Sequence, residues 1–312
     1  MLTNIGLIIL GFLLLIKGGD FLVDGAVAIA QRAKLSPMVI GLTIVGFGTS
    51  APELLVSVQA ALAGSSGIAI GNVVGSNIAN IALILGVTGL ITACHTDKQT
   101  LAIDVPFMIL SCVLFVAVAM TGTIGRIAGI TGILLLITFI TWQVWNSRKQ
   151  NQSQESSDDS QPMPLWKALL YVAGSIAALT YGADWLIEGA CGLAQAIGIS
   201  QRIIGLTIIA AGTSLPELFA SIMSARKGET DMAIGNVVGS VTFNILSVIG
   251  FSSAICPITG SNEGFLFDYL LMLILGILLW IFLFTKRTLE RWEGGILLAI
   301  YIAYIVRTIV IS

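Results

Sequence analysis

Hydrophobic residues run along this chain in long blocks rather than in alternation. Ten blocks reach the length a bilayer requires, at about 4–30, 38–63, 68–92, 100–119, 127–145, 164–190, 203–225, 232–254, 266–285 and 293–311. Polar residues gather in the short joints between them. The one long polar stretch, 146–164 (NSRKQNQSQESSDDSQPMP), is rich in Ser, Gln and Asp and reads as a flexible linker. The pattern predicts an all-α polytopic membrane protein with ten transmembrane helices: one membrane domain over 1–312, with five spans in 1–145, the linker at 146–164 and five spans in 165–312.

Two stretches are nearly the same sequence. GLTIVGFGTSAPELLVS…AIGNVVGSNIANI (41–81) and GLTIIAAGTSLPELFAS…AIGNVVGSVTFNI (205–245) align without a gap at an offset of 164, with 23 of 41 positions identical. The offset also pairs Asp20 with Asp184, Asp24 with Glu188, Gln31 with Gln195 and Ser36 with Ser200. Each half holds an odd number of spans, so the second enters the membrane with reversed polarity, which makes an inverted repeat.

Charge placement orients the halves. Arg32, Lys34, Lys98, Arg148, Lys149, Lys167, Arg226, Lys227, Lys286, Arg287 and Arg291 fall on one side, and Arg126, Arg202 and Arg307 on the other. The basic side should be cytoplasmic, placing the linker inside and both termini outside the cytoplasm, in a multi-pass protein of the cell inner membrane.

Composition changes the picture in one respect: 56% hydrophobic and only 10% charged residues is too apolar for a water-soluble chain of 312 residues, so the solvent is lipid. A net charge of -2 without a basic tract gives no reason to invoke nucleic acid. Cys94, Cys112, Cys191 and Cys256 form no CxxC pair and His95 alone cannot build a histidine metal site, so these read as packing residues. The N-terminus lacks a basic leader region and an obvious cleavage site, and reads as a retained helix. Neither HExxH nor GxSxG occurs, which argues against an intramembrane enzyme.

The chemistry lies in the repeats. In spans 2 and 7, G-T-S-x-P-E puts a glycine and a proline inside a membrane helix, which loosens the hydrogen-bond ladder and frees carbonyls. Thr49, Ser50 and Glu53 share one face of the helix that resumes, and Thr213, Ser214 and Glu217 repeat the arrangement. In spans 3 and 8, Asn72, Ser76 and Asn80 recur four residues apart, as do Asn236, Ser240 and Asn244. Gly71, Gly75, Gly235 and Gly239 leave room for close helix packing. Isolated hydroxyls and amides in membrane helices are commonly structural, and Asn72 and Asn236 could equally bond the backbone of a partner helix. Two glutamates in matched broken helices are much harder to explain as packing. Asp20, Asp24, Asp184 and Glu188 either line an ion path or sit near headgroups and pair locally, with Lys17 a partner for Asp20.

Two carboxylates with hydroxyl, amide and backbone oxygens make an all-oxygen cage suited to a hard cation. Ca2+ prefers six to eight such ligands, and Mg2+ with its rigid octahedron is a poorer match. The same oxygens could take Na+, and competition between the two occupancies would couple two gradients.

At these residues the chain resembles the cation/Ca2+ exchanger superfamily, and within it the prokaryotic sodium/calcium exchanger-like proteins. The features are two repeats of G-[TS]-S-x-P-E followed by G-N-x-x-G-S-N, and with the ten spans and central linker the resemblance covers essentially the whole chain. It implies ten helices in two inverted five-helix repeats, with helices 2, 3, 7 and 8 broken. It implies that Glu53 and Glu217 are the central Ca2+ ligands and that Thr49 and Thr213 add backbone oxygens. Ser50, Ser76, Asn80, Ser214, Ser240 and Asn244 would help form flanking Na+ sites, with carbonyls from Gly46 and Ala210. The implied activity is antiport of about three Na+ for one Ca2+, with access alternated by sliding of the long helices equivalent to spans 1 and 6. The ions are substrates and no resident cofactor is expected; a monomer would suffice. Val241 stands where the first repeat has Asn77, so this position need not be a ligand. Asn at both 80 and 244, where K+-cotransporting relatives carry an acid, argues against K+ dependence. Gly75 and Gly239 replace the glutamate of the proton/Ca2+ branch, leaving proton-coupled Ca2+/cation antiport or Na+/H+ exchange as the alternative.

Overall fold

The computed structural model describes residues 1–151, 163–197, 212–262 and 264–311. Helix α1 (Leu2–Ala33) is followed by α2 (Pro37–Thr49) and α3 (Ala51–Leu62), two parts of one bent span, and then by α4 (Ser66–Ile91), α5 (Thr100–Ala119) and α6 (Arg126–Asn151). The second half comprises α7 (Leu165–Ala196), α8 (Leu215–Arg226), α9 (Thr230–Ile255), α10 (Leu266–Lys286) and α11 (Arg291–Ile311). Among the described residues, eight helices are long and apolar enough to cross a bilayer, or nine when α2 and α3 count as one. The early part of the expected seventh span, with Ser200, Arg202 and Ala210, lies outside the described residues, as does 152–162 of the expected linker.

Helices α1 and α7 each have 32 residues. At 1.5 Å per residue each is about 48 Å long, more than a bilayer core of roughly 30 Å, so they cross tilted. They pack antiparallel: Asn4 meets Gly189, Gly11 meets Gly182, Gly18 meets Leu179 and Gly25 meets Ala168. A Cβ on Gly11 would lie 2.6 Å from the Gly182 carbonyl oxygen, so the backbones approach as closely as only glycine allows. Repeat-equivalent helices thus run in opposite directions.

The offset of 164 holds elsewhere. α3 and α8 begin and end at equivalent residues, as do α4 and α9. The turns between them both use a glycine with positive φ, Gly64 at 73° and Gly228 at 86°. Two short antiparallel bridges join the halves: β1 (Cys94–His95) pairs with β4 (Thr288–Leu289), and β2 (Thr123–Ile124) pairs with β3 (Ile258–Thr259).

Helix α9 is buried throughout its most apolar stretch and α4 through most of its own, while α1, α6, α7 and α11 carry the exterior. Exposed Ile9, Leu13, Leu134, Ile137, Ile302 and Val306 lie on that exterior, an apolar surface that belongs in lipid. The molecule is a multi-pass membrane protein.

Three expectations change. Helices α4 and α9 are not broken: each runs through, widened by a π-helical turn at Ala79–Ile84 and Asn244–Val248. Neither contains proline, so the ladder absorbs an irregularity without parting. α6 continues to Asn151, so the polar residues from 146 begin as helix rather than linker; Gln, Arg and Lys are good helix formers and the ladder needs no bilayer to persist. Asp20 pairs with Lys227 rather than Lys17, at 2.7 Å, and Asp24 pairs with the same ammonium at 2.6 Å. Lys17 is on Asp20's own helix only three residues back, whereas Lys227 reaches both acids from the end of α8 because Gly19 lets α8 pack against α1.

Candidate ion-binding site

The bent span α2–α3 turns by 47° at Ser50. Pro52 has no N–H to give the carbonyl four residues back, but proline is well tolerated in a first turn, so a new helix starts at once. The break puts Glu53 in the first turn of α3, and Pro216 puts Glu217 in the first turn of α8. A helix start offers free N–H groups and the positive end of the backbone dipole, which partly offsets burying a carboxylate. The two glutamates are 2% and 1% exposed. Neither pairs with a Lys or Arg among the described residues.

Hydrogen bonds between the halves assemble the site. Ser50 Oγ donates to Glu217 Oε1 at 3.4 Å, and Thr49 Oγ1 donates to Asn236 Oδ1 at 3.4 Å. Ser240 Oγ reaches the Gly46 carbonyl at 3.5 Å, an oxygen that also accepts from Ser50 N at 3.1 Å. The single Thr49 hydroxyl proton is shared between Asn236 Oδ1 and the Val45 carbonyl, which lies closer at 3.1 Å. Packing of α9 on α2 makes these contacts reachable: a Cβ on Gly235 would lie 2.6 Å from the Met38 carbonyl, and one on Gly239 would collide with Leu42. The equivalent neighbours of Gly71 and Gly75, near 202–206, fall outside the described residues.

Asn72 and Asn236 bond backbone. Asn72 Nδ2 donates to the Glu53 carbonyl at 3.3 Å and to Ser57 Oγ at 2.9 Å. Asn236 Nδ2 does the same with the Glu217 carbonyl at 3.1 Å and Ser221 Oγ at 2.9 Å. Each asparagine pins the backbone of the glutamate in its own half. Ser57 and Ser221, one turn beyond each glutamate, were not singled out from sequence, although their identity at equivalent positions was a usable signal. Asn77, which the sequence marks only as a position that need not be a ligand, accepts from Asn244 Nδ2 at 3.0 Å.

Ser76, Asn80 and Asn244 are buried on α4 and α9, and in the turn before α8 Ser214 is buried and Thr213 half-buried. Among the candidate site residues, four buried side-chain oxygens have no hydrogen-bond partner among the described residues: Glu53 Oε2, Glu217 Oε2, Asn80 Oδ1 and Asn244 Oδ1. Buried acceptors are costly without a donor or a cation. A set of acceptors containing two carboxylates is suited to a hard cation.

The sodium/calcium exchanger protein family model matches residues 3–146 and again 167–310. The chain is 36% identical to the sodium/calcium exchanger MaX1 of Methanosarcina acetivorans, over 97% of this chain and 98% of that protein. It is 36% identical to the putative antiporter CaxA of Alkalimonas amylolytica, over 97% and 98% respectively. The fold is similar to the solved structure of the sodium-calcium exchanger NCX_Mj soaked with zero Na+ and Ca2+, with a TM-score of 0.85, 31% identity, and coverage of 98% of this chain and 99% of that one. The chain belongs to the sodium/calcium exchanger family.

Proposed function

We propose that this member of the family exchanges about three Na+ for one Ca2+ across the membrane by alternating access, with Glu53 and Glu217 as the shared ion-binding centre. The observation that carries the reading is the pair of buried carboxylates at equivalent helix starts, each with an oxygen that no donor among the described residues satisfies. Two fixed negative charges balance one Ca2+. Ser50, Ser76, Asn80, Ser214, Ser240, Asn244, Thr49, Thr213 and the carbonyls at Gly46 and Ala210 supply neutral oxygens, from which Na+ sites of lower field strength can be built. Bound ions are substrates, and a monomer contains the whole site.

The halves are inverted, with the termini outside the cytoplasm and the linker within it. Exposed Trp145, Trp166 and Trp292, beside Arg148, Lys167 and Arg291, form part of an aromatic girdle on the basic side. Helix α1 packs closely on α8 at that side, whereas the equivalent pair, α7 and α3, barely touches. This asymmetry supports a conformation closed toward the cytoplasm and open away from it. Movement of the α1–α7 pair across the remaining helices would exchange the two arrangements, as inverted repeats permit.

Three Na+ moving against one Ca2+ carry one net charge, so an inside-negative potential of 100 mV contributes about 2.3 kcal/mol per cycle. The test uses vesicles loaded with radiolabelled Ca2+, an inward Na+ gradient at equal pH, and a valinomycin-set K+ potential. Sodium-dependent efflux that accelerates as the interior becomes negative is expected. Efflux indifferent to Na+ but driven by a proton gradient would overturn sodium coupling, and voltage-insensitive sodium-driven efflux would overturn the stoichiometry alone.

A further inference from the structure

We propose that Asn77 is a positioning residue for the ion site, one that fixes the amide of Asn244 so that its oxygen, not its nitrogen, is available to the ions. The proposal rests on the exchanger reading above.

An amide side chain carries an acceptor at one corner and a two-hydrogen donor at the other, in nearly the same shape. A buried asparagine beside a cation site can therefore turn the wrong end inward unless its neighbours decide. Asn77 on α4 and Asn244 on α9 are both buried. Asn244 Nδ2 donates to Asn77 Oδ1 at 3.0 Å, and Asn77 Nδ2 donates to Met272 Sδ on α10 at 3.6 Å. A thioether sulfur accepts hydrogen bonds and cannot donate them. Met272 therefore holds the nitrogen of Asn77, which turns the Asn77 oxygen toward Asn244. Asn244 answers with its own nitrogen, and its oxygen is left without a donor among the described residues. Reversing Asn77 would set its oxygen against the sulfur, and reversing Asn244 alone would set oxygen against oxygen.

Asn244 opens the π-helical turn of α9, one helical turn beyond Ser240, where this segment packs on α3, the helix of Glu53. The widened turn thus carries the oriented amide on the polar stripe that begins with Asn236.

The other half lacks the relay. Met108 stands at the position equivalent to Met272 and Asn80 at that of Asn244, but Val241 replaces Asn77. Valine has no polar atom to pass an orientation on. The Asn244 end of the site therefore meets its ion with a dipole already aligned, through a device the Asn80 end does not have.

The test introduces Asn77→Val, which gives the first half the side chain of the second, into the reconstituted full chain and reads half-saturating Na+ and Ca2+ for exchange. Groups that orient metal ligands typically contribute tenfold or more in affinity, so the half-saturation of at least one ion should rise about tenfold, with the rate at saturating ions little changed. Met272→Leu keeps the volume and removes the acceptor, so it should move the same ion's value in the same direction by less. The decisive comparison repeats Asn77→Val on an Asn244→Asp background. Both ends of a carboxylate are oxygens, so no orientation is left to fix and the added substitution should no longer raise either value. A packing defect would instead weaken binding equally in both backgrounds. Parent-like values in both Asn77→Val and Met272→Leu, or an equal rise in the two backgrounds, would overturn the proposal. If the parent shows no sodium-dependent Ca2+ flux, the exchanger reading fails separately, and the same background comparison is read from Ca2+ binding to the purified protein.

Discussion

Ser50 Oγ donates to Glu217 Oε1 at 3.4 Å, joining the helix break of the first half to the acid of the second. The bond links elements of both repeats. Ser50→Ala removes the donor and leaves another carboxylate oxygen unsatisfied. The bond is long, so it should contribute about 1 kcal/mol, and half-saturating ion concentrations should rise roughly fivefold with folding intact. Values unchanged from the parent would show that this hydroxyl does not act on Glu217.

Asn236 holds the Glu217 carbonyl and Ser221, and also accepts from Thr49. Its counterpart Asn72 is only half-buried. Asn236→Ala should destabilise the protein by about 1–2 kcal/mol, since hydrogen bonds within membranes average somewhat under 1 kcal/mol each. Asn72→Ala should destabilise it less. Thermal unfolding in detergent checks the order, and an equal or reversed order contradicts it.

Much of this was legible in the sequence because lipid and the repeat both write in long patterns. The helices follow from uninterrupted apolar length, and the acids from their place beside Pro52 and Pro216. What escaped was set by contacts between segments. The lack of proline separates α4 and α9 from the helix starts at Pro52 and Pro216, but nothing local in their apolar sequences marks the widening at Asn80 and Asn244. Lys227 lies far in sequence from Asp20 and Asp24, so nearby Lys17 was the visible partner. Asn77 looked dispensable because position 241 is valine, and its role emerged only when α10 placed Met272 beside it.

The α1–α7 seam offers a paired test of glycine. A methyl on Gly11 would sit 2.6 Å from the Gly182 carbonyl oxygen, whereas one on Gly6 would meet nothing within 4 Å. Gly11→Ala should cost about 1–3 kcal/mol through overpacking, and Gly6→Ala should be neutral or stabilising by up to about 1 kcal/mol. Unfolding midpoints of both variants decide the matter, and similar values would contradict the close approach.

Topology can be read with a single cysteine placed in the 152–162 segment after the four native cysteines are replaced. An impermeant thiol reagent should label it from the cytoplasmic side alone. Labelling restricted to the outer side would invert the orientation proposed for both termini and both repeats.

The central claim is that Glu53 and Glu217 form one centre that Na+ and Ca2+ occupy in turn. Its most direct test compares sodium-driven efflux of radiolabelled Ca2+ from proteoliposomes holding the parent, Glu53→Gln or Glu217→Gln, each confirmed as folded and inserted. The amide is nearly isosteric, but removing one of two charges leaves a divalent ion under-neutralised in a poorly hydrated site. The account predicts robust efflux by the parent and background efflux by either variant; parent-like efflux by either one would contradict it.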